Sequence, residues 1–194
     1  PRRSDRAFAA GTSQVHPGAP MGTPVSTSTR RFLLLGAGDD TGNLGVSALH
    51  HSVVAGLARV TGAADIVAAD HGLGTRRAVT HVDGAPFHYR VTGVRVSRRY
   101  WRPVAITTAM ALARVRMRVP FIRFVDAAEA VLDIAGGDSF SDLYGQHRFH
   151  EVTWPREPAY QRGVPVVLLP QTYGPFRDPA NLEVARRHVR DAAM

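Results

Sequence analysis

A repeated unit is the feature that most constrains how this chain can fold. A short apolar run leads into a loop of glycine and small polar residues, and this pattern recurs along the chain. The runs cover residues 31–38, 64–70, 130–135 and 163–170. Runs of this length that are bounded by glycine are typical of buried strands. Because helical patterns separate the first runs, the sequence predicts an α/β domain with a mostly parallel sheet flanked by helices.

The remaining elements follow from periodicity and turn signals. Apolar residues recur at spacings of three and four over residues 46–60, which predicts an amphipathic helix between the first two strands. Residues 78–82 and 87–96 flank the turn signal Asp83-Gly84, so we expect either a hairpin there or a strand with a long loop. Residues 104–119 predict another helix, which Pro120 ends. A last helical pattern runs over residues 182–192.

The two ends of the chain differ in composition from its middle. Residues 1–29 are rich in Pro, Gly, Ser and Thr, which predicts a disordered leader, and Met21 is a candidate natural start. Residues 30–194 are predicted to form one domain. Helical periodicity continues almost to Met194, so we expect the chain to be cut before a second domain.

Composition excludes several classes of function. All 24 basic residues are arginine, and with 16 acidic residues they give a net charge of +8. These arginines are spread along the chain, and no aromatic-studded basic strand or helix-turn-helix pattern accompanies them. We therefore interpret the charge as a solvated compositional bias and predict no nucleic-acid partner, with binding of a small anion as an alternative interpretation. The chain has no cysteine, which excludes thiolate metal sites and disulfides. No spacing of histidine and carboxylate residues indicates a bound metal, and we expect no cofactor.

The sequence shows neither an export signal nor a membrane-spanning segment. The leader lacks the uninterrupted apolar stretch of a signal peptide, and no apolar run approaches the length of a spanning helix. We therefore predict a cytoplasmic protein with no membrane span. The sequence indicates no oligomeric state.

Three loops of similar composition follow predicted strands. They cover residues 38–45, 136–145 and 170–176, here called the first, second and third loops. Loops that follow parallel strands leave the sheet at its carboxyl edge, where such folds bind ligands, so we expect the three to converge on one cleft. A helix beginning at Leu44 would also point free N–H groups at an anion.

The residues of these loops resemble a known family. Gly-Asn-Leu-Gly at 42–45, Gly-Gly-Asp-Ser-Phe-Ser-Asp at 136–142, and Val-Val-Leu-Leu-Pro-Gln-Thr-Tyr-Gly-Pro-Phe at 166–176 look like the amino-terminal half of polysaccharide pyruvyl transferases. The resemblance covers residues 32 to about 190. The family usually has an acidic residue after the second glycine of the first block, where this chain has Val46. Asp39 and Asp40 are therefore candidates to supply that carboxylate.

The resemblance implies a fold, an activity and partners. It implies a Rossmann-like domain similar to the amino-terminal half of a GT-B-like, two-domain transferase. Family members transfer the pyruvyl group of phosphoenolpyruvate to a sugar or glycan acceptor as a ketal in polysaccharide synthesis, and phosphate is released. Phosphoenolpyruvate is then the donor substrate. The arginine and histidine residues that bind it are expected in the second domain, beyond this chain.

The resemblance also implies site residues. Asp138 is the predicted catalytic residue, orienting or deprotonating the acceptor hydroxyl, although an aspartate at this position also suits a turn or a helix cap. Asn43 suits either a hydrogen bond to a sugar hydroxyl or the cap of the following helix. The predicted substrate-binding residues are Asp39, Gly42, Asn43, Gly45, Gly137, Ser139, Asp142, Gln171, Tyr173 and Gly174.

Histidines are expected to contribute less to the site. His147 and His150 follow Asp142 and are the histidines placed near the cleft. His50 and His51 lie on the first predicted helix, where we expect them at the surface or along a groove. None of the four is assigned a catalytic role.

Two other interpretations compete with the transferase. The first is a Rossmann domain that binds S-adenosylmethionine or a nucleotide, because residues 131–137 resemble the first methyltransferase motif. Such a site needs an acidic residue at the end of the next strand, and that strand ends in Pro170 and Gln171. The second interpretation is a non-catalytic fragment that folds but performs no reaction.

Overall fold

The computed structural model describes residues 29–39, 42–62, 64–95, 106 and 119–193, and its core is a six-stranded sheet. The strands are β1 (Arg30–Leu35), β2 (Ala64–Asp70), β3 (Thr75–Val82), β4 (Ala85–Gly93), β5 (Ala130–Asp133) and β6 (Val166–Leu168). The helices are α1 (Leu44–Thr61), α2 (Pro120–Ala127), α3 (Gln146–Thr153), α4 (Glu157–Arg162) and α5 (Pro179–Arg190), with a 3-10 turn at Trp154–Arg156 between α3 and α4.

The strand order is β3-β4-β2-β1-β5-β6. Every neighbouring pair is parallel except β3 and β4, which form an antiparallel hairpin at one end of the sheet. The predicted α/β architecture, with a mostly parallel sheet flanked by helices, is therefore confirmed.

Most predicted elements have counterparts at shifted boundaries. The hairpin around Asp83-Gly84 is confirmed, with its first strand starting three residues earlier than predicted, at Thr75. The predicted helix over residues 104–119 lies outside the described residues except for Ile106 and Val119, and the predicted leader lies outside them except for residue 29. No sequence pattern indicated α2, which begins at Pro120. Proline suits the first position of a helix, because the N–H group that it lacks would have no partner within the helix there.

The alternating leucines of β1 show how the core is divided. Leu33 and Leu35 point to the face covered by α2, where they pack with Ile122. Leu34 points to the opposite face and packs with Val54 of α1. Helices on both faces are what a parallel sheet requires, because neither face can be left in water. This explains why β1 reads as an uninterrupted apolar run.

The three loops lie at the carboxyl edge of the sheet. The Gly136 N–H donates to the carbonyl oxygen of Gly36, just after β1, at 2.6 Å. The Thr172 N–H donates to the Gly137 oxygen at 2.8 Å, and the Gly174 N–H donates to the Phe140 oxygen at 2.9 Å. The second loop therefore contacts both the chain leaving β1 and the third loop.

No helix among the described residues is both long enough and apolar enough to cross a membrane.

Candidate functional site

A cleft of about 880 Å3 opens at the carboxyl edge, and we call it the carboxyl-edge cleft. Its walls come from the chain leaving β1, the ends of β2 and β4, the start of β3, and α3. The polar and charged side chains that line it belong to Asp39, Asn43, Asp70, His71, Arg76, Arg77, Arg95, Arg148 and Glu151. The described residues of the second and third loops do not line this cleft. The loops thus share one edge as predicted, but the prediction that all three line one cleft is wrong, because the second and third loops pack on each other.

Asp39 is one of the two predicted site residues that line the cleft, and Asn43 is the other. The Asp39 carboxylate Oδ1 lies 2.7 Å from Nε2 of His51, about two turns into α1, and both side chains remain partly exposed. His51 Nδ1 lies 2.9 Å from the Thr80 hydroxyl on β3. The Asp39 carbonyl oxygen accepts a 2.6 Å hydrogen bond from the Ser47 hydroxyl. Asp39 is therefore held on both its backbone and its carboxylate sides by α1.

His50 lies beneath the cleft, and its predicted surface position is wrong. The imidazole is 1% exposed, because the sheet-facing side of α1 packs on β4. Nδ1 lies 2.9 Å from the Ala37 carbonyl oxygen, which can only accept, so Nδ1 donates and Nε2 accepts from the Tyr89 hydroxyl at 2.9 Å. Burial lowers the pKa of His50. Burial, together with the nearby Asp39 carboxylate, raises the pKa of Tyr89 to about 12.

Asn43 caps α1, which is one of its two predicted roles. Its side-chain oxygen accepts hydrogen bonds from the N–H groups of Gly45 at 2.9 Å and Val46 at 3.3 Å. Gly42 has φ +71°, a left-handed conformation that favours glycine. Gly45 lies in the first turn of α1 and Val46 lines the cleft. The glycines and asparagine of the first block therefore shape the loop-to-helix junction.

Asp138, the predicted catalytic residue, lies exposed on the second loop. Its Oδ2 accepts a 3.0 Å hydrogen bond from the Tyr144 hydroxyl, and its Oδ1 lies 3.2 Å from the Ser139 hydroxyl. The hydrogen bond to Asp138 raises the pKa of Tyr144. Ser139 is buried and accepts a 3.2 Å hydrogen bond from Arg148, a residue of the cleft wall. Asp138 is thus connected to the cleft through Ser139 and Arg148.

Asp142 is engaged at the start of α5. Its carboxylate accepts hydrogen bonds from the N–H groups of Arg177 and Asp178, both at 2.9 Å, and from the Asn181 amide at 3.2 Å. These donors, Asp178 foremost, lower the pKa of Asp142. Gly137 has φ +84°, and a Cβ there would lie 2.9 Å from the Leu49 side chain. Both residues therefore have a structural role in holding the second loop.

The third loop covers the end of β5. The Gln171 amide donates to the carbonyl oxygens of Asp133 and Leu169, both at 3.1 Å. The Tyr173 ring is half-exposed, and its centre lies 5.5 Å from that of Phe140. Gly174 takes φ +77°. Of these predicted binding residues, Tyr173 presents the most surface to solvent.

A buried group of charges beneath the second loop was not predicted from the sequence. Asp133, at the end of β5, pairs with Arg156, and the side chains are 1% and 0% exposed. Asp133 Oδ1 also accepts the Ala135 N–H at 2.7 Å, and the Arg156 guanidinium lies 4.3 Å from the centre of the Phe140 ring. The one available signal was a carboxylate inside the apolar run 130–135.

The buried charges continue into α5. Nδ1 of His188 lies 3.4 Å from Arg156, and Nε2 lies 2.8 Å from Glu157, which also pairs with Arg187. Burial lowers the pKa of His188, an effect that the Glu157 hydrogen bond only partly offsets. Burial alone would raise the pKa of Glu157, but His188 and Arg187 leave it lowered. Asp133, Arg156, His188 and Glu157 are here called the buried charge network.

The remaining histidines differ from expectation in their positions. His147 is exposed beside Glu151, at 3.4 Å. His150 faces a separate groove of about 330 Å3 between α3 and α5, where it stacks on Trp154 at 4.1 Å. His71 lines the carboxyl-edge cleft, although no sequence pattern predicted it as a site residue. Among the described residues, no three His, Asp or Glu side chains are grouped so that they could hold a metal ion.

Comparison with known proteins does not place the chain in a family. Neither the models of known protein families nor the curated proteins contain a match to it. The assignment to a function therefore depends on the loop motifs and on the cleft.

Proposed function

We propose that this chain is the amino-terminal, acceptor-binding half of a polysaccharide pyruvyl transferase. In this proposal the sheet is the Rossmann-like half of a GT-B-like enzyme. A second domain binds phosphoenolpyruvate, and the reaction takes place in the cytoplasm, where that donor is available. The observation that carries the proposal is the carboxyl-edge cleft, whose wall includes Asp39, held by His51 at 2.7 Å. An anchored carboxylate at the ligand-binding edge of a parallel sheet suits the orientation of a sugar hydroxyl.

The proposed reaction determines which groups the site must supply. Protonation of the methylene carbon of phosphoenolpyruvate makes the neighbouring carbon electrophilic, and two hydroxyls of the acceptor then add to that carbon. The bond to the phosphate oxygen breaks and phosphate leaves. Of the two protons that the hydroxyls lose, one balances the proton gained by the new methyl group and the other leaves with phosphate. At least one base near the acceptor is therefore required.

Two carboxylates of this chain can serve the acceptor. Asp138 is exposed, and Tyr144 and Ser139 hold its two oxygens, so its orientation is defined while solvent reaches it. Asp39 lies in the cleft wall itself. We assign Asp138 to orienting or deprotonating the hydroxyl that attacks. Asp39 binds a second hydroxyl, together with the surrounding residues of the first loop.

A product assay on the natural protein that contains this chain tests the proposal. Phosphoenolpyruvate is supplied with a panel of glycans, and mass spectrometry detects a pyruvyl ketal while phosphate release is measured in parallel. We expect Asp138→Asn to lower turnover about a hundredfold or more, since that is the usual contribution of a positioned base. Glu183→Gln removes an exposed carboxylate outside the cleft and serves as the matched control.

Three results of this assay decide the proposal. Ketal formation that depends on Asp138 supports it. Absence of a ketal with every glycan overturns the proposed activity, and normal turnover of Asp138→Asn overturns the role of that residue. The 194 residues by themselves are expected to release no phosphate from phosphoenolpyruvate, because in this proposal a second domain binds the donor.

A further inference from the structure

The charges that line the carboxyl-edge cleft do not cancel. Three carboxylates, Asp39, Asp70 and Glu151, face the cleft together with four arginines. Each carboxylate already has a cationic or imidazole partner. Asp39 contacts His51, Asp70 pairs with Arg76, and Glu151 lies 3.3 Å from Arg148. The acidic side chains of the wall are therefore all engaged.

Arg77 and Arg95 are the two cleft arginines that pair with none of these carboxylates. Within the described ranges, neither guanidinium forms an ion pair or a hydrogen bond, and both side chains are exposed. Arg77 lies near the start of β3, and Arg95 lies two residues beyond the end of β4, which places both at the end of the hairpin that borders the cleft. A concave wall focuses the field of such charges more strongly than a flat surface does.

The start of α1 adds to this positive field. Asn43 and Val46 line the same cleft, and the first turn of this 18-residue helix contains no acidic residue. The amino end of a helix carries a partial positive charge, which an acidic side chain in its first turn would normally offset. The valine at position 46 leaves that charge in place on the cleft wall.

We infer that the carboxyl-edge cleft binds an anionic group, a phosphate or a phosphate ester, through Arg77 and Arg95. The proposed function assigns no anion site to this domain, so this inference goes beyond it and is tested without any measurement of transfer. Guanidinium groups match phosphate oxygens with paired N–H donors. The ligand is either the phosphate of a substituted sugar or that of an enol ester.

Calorimetric titration of the 194-residue chain tests the inference. The ligands are inorganic phosphate, phosphoenolpyruvate and glucose 1-phosphate, with glucose as the uncharged control. We expect the phosphate-bearing ligands to bind, and binding to weaken about tenfold or more in each of Arg77→Gln and Arg95→Gln, because hydrogen bonds to charged groups are among the stronger polar contacts. Arg123→Gln removes an exposed arginine of α2 outside the cleft wall and is the matched control.

The ligand series identifies the source of the phosphate. Tighter binding of glucose 1-phosphate indicates a sugar phosphate, tighter binding of phosphoenolpyruvate indicates the enol ester, and equal binding of all three indicates recognition of phosphate alone. No binding at about 10 mM ligand would overturn the inference, as would equal affinity in the wild-type chain and the arginine variants. Should a variant not fold, affinity that stays constant as salt is raised would also contradict it, since exposed charges are screened.

Discussion

The carboxyl edge of this sheet bears two groups of charged residues that use the same chemistry differently. In the buried charge network, the Asp133 and Arg156 side chains are 1% and 0% exposed. In the carboxyl-edge cleft, the Asp39 and His51 side chains are 44% and 42% exposed. Both groups pair a carboxylate with a cation or an imidazole, and they differ in their access to water. A charged side chain that is open to water can bind a ligand, whereas a buried one is limited to stabilising the fold.

In the buried group both oxygens of the Asp133 carboxylate are engaged, while Nη2 of Arg156 has no hydrogen-bond partner among the described residues. Asp133 uses one oxygen for Arg156 and the other for the Ala135 N–H, and Arg156 also lies over Phe140. Ala135 has φ +46°, so a backbone segment in an unfavourable conformation depends on this carboxylate. The cleft residues, by contrast, leave Arg77 and Arg95 open to a ligand. This contrast predicts large structural effects below the second loop and small ones around the cleft.

The comparison is tested most strongly by removing one arginine from each group. Arg156→Leu leaves Asp133 charged and buried without its partner, which should cost about 3–5 kcal/mol in the free energy of unfolding. Arg148→Leu removes a partly exposed cleft arginine paired with Glu151, and should cost no more than about 1 kcal/mol. Chemical denaturation of both variants gives the two values.

A second variant separates charge from packing. Replacing Asp133 and Arg156 together with leucine removes both charges and should recover part of the loss, because no unpaired charge remains buried. Equal losses for Arg156→Leu and Arg148→Leu would contradict the distinction between the two groups.

Two glycines at the sheet edge provide the next largest contrast. Gly36 has φ +70°, and a Cβ there would lie 2.7 Å from both Ala135 Cα and Asp133 Oδ1. Gly42 has φ +71°, but among the described residues, its chain neighbours aside, no atom lies within 4 Å of that position. Gly42→Ala should therefore cost only the left-handed conformation, about 1–2 kcal/mol. Gly36→Ala adds a clash with backbone, for a total of about 2–5 kcal/mol.

Thermal and chemical unfolding of the two alanine variants compare these costs directly. The 2.6 Å hydrogen bond from Gly136 to Gly36 indicates a close contact between the chain leaving β1 and the second loop. Equal stability of the two variants would contradict that contact.

The sequence predicts local features of this fold better than distant contacts. The apolar run of β1, the glycine turn at Asp83-Gly84 and the cap at Asn43 each depend on a few neighbouring residues, and each is confirmed. The partners of Asp133 and His50 cannot be predicted from neighbouring residues. Arg156 lies 23 residues from Asp133, and Tyr89 lies 39 residues from His50. Periodicity places His50 on a helix, but it contains no information about the strand that covers it.

The same division holds for the candidate site, where the sequence predicts local features but not distant contacts. Loops after parallel strands share an edge for topological reasons, and the structure has that arrangement. Which of these loops line a cleft depends on how the second and third loops pack. The Phe140–Tyr173 contact between them cannot be predicted from the positions of glycines. Arg76 and Arg77 of the cleft lie on the hairpin and Arg95 follows it, whereas Arg148 lies on α3. The sequence did not indicate that the hairpin lies next to β2.

Acidification tests the two buried histidines, His188 of the buried charge network and His50 beneath the cleft, with a smaller, graded change. Burial lowers the native pKa of His50 and His188 below the ordinary value of 6.5. Below that value the unfolded chain binds protons that the native state resists, so stability should fall as the pH is lowered from about 7 to about 5. The loss is partial, because protonation leaves the Asp133–Arg156 pair in place.

Denaturation curves at several pH values measure this slope. His50→Gln and His188→Gln should each have a shallower slope than the wild-type chain, whereas His147→Gln removes an exposed imidazole and retains both buried ones. A slope unchanged in both buried-histidine variants would show that these imidazoles do not contribute to the acid sensitivity.

Asn43 gives the smallest expected effect and the finest test, because it has a structural role and also lines the cleft. Its side-chain oxygen accepts from the N–H groups of Gly45 and Val46, so Asn43→Ala should lose about 1 kcal/mol of stability, as for other helix caps. Asn43→Asp keeps the cap and should keep the stability, but it places a negative charge on the cleft wall. If the cleft is an anion site, Asn43→Asp should weaken phosphate binding more than Asn43→Ala does, although it is the more stable variant. Calorimetric titration and chemical denaturation of the same two proteins therefore separate the two roles. The opposite order in phosphate affinity would mean that the cleft wall near α1 does not contact the anion.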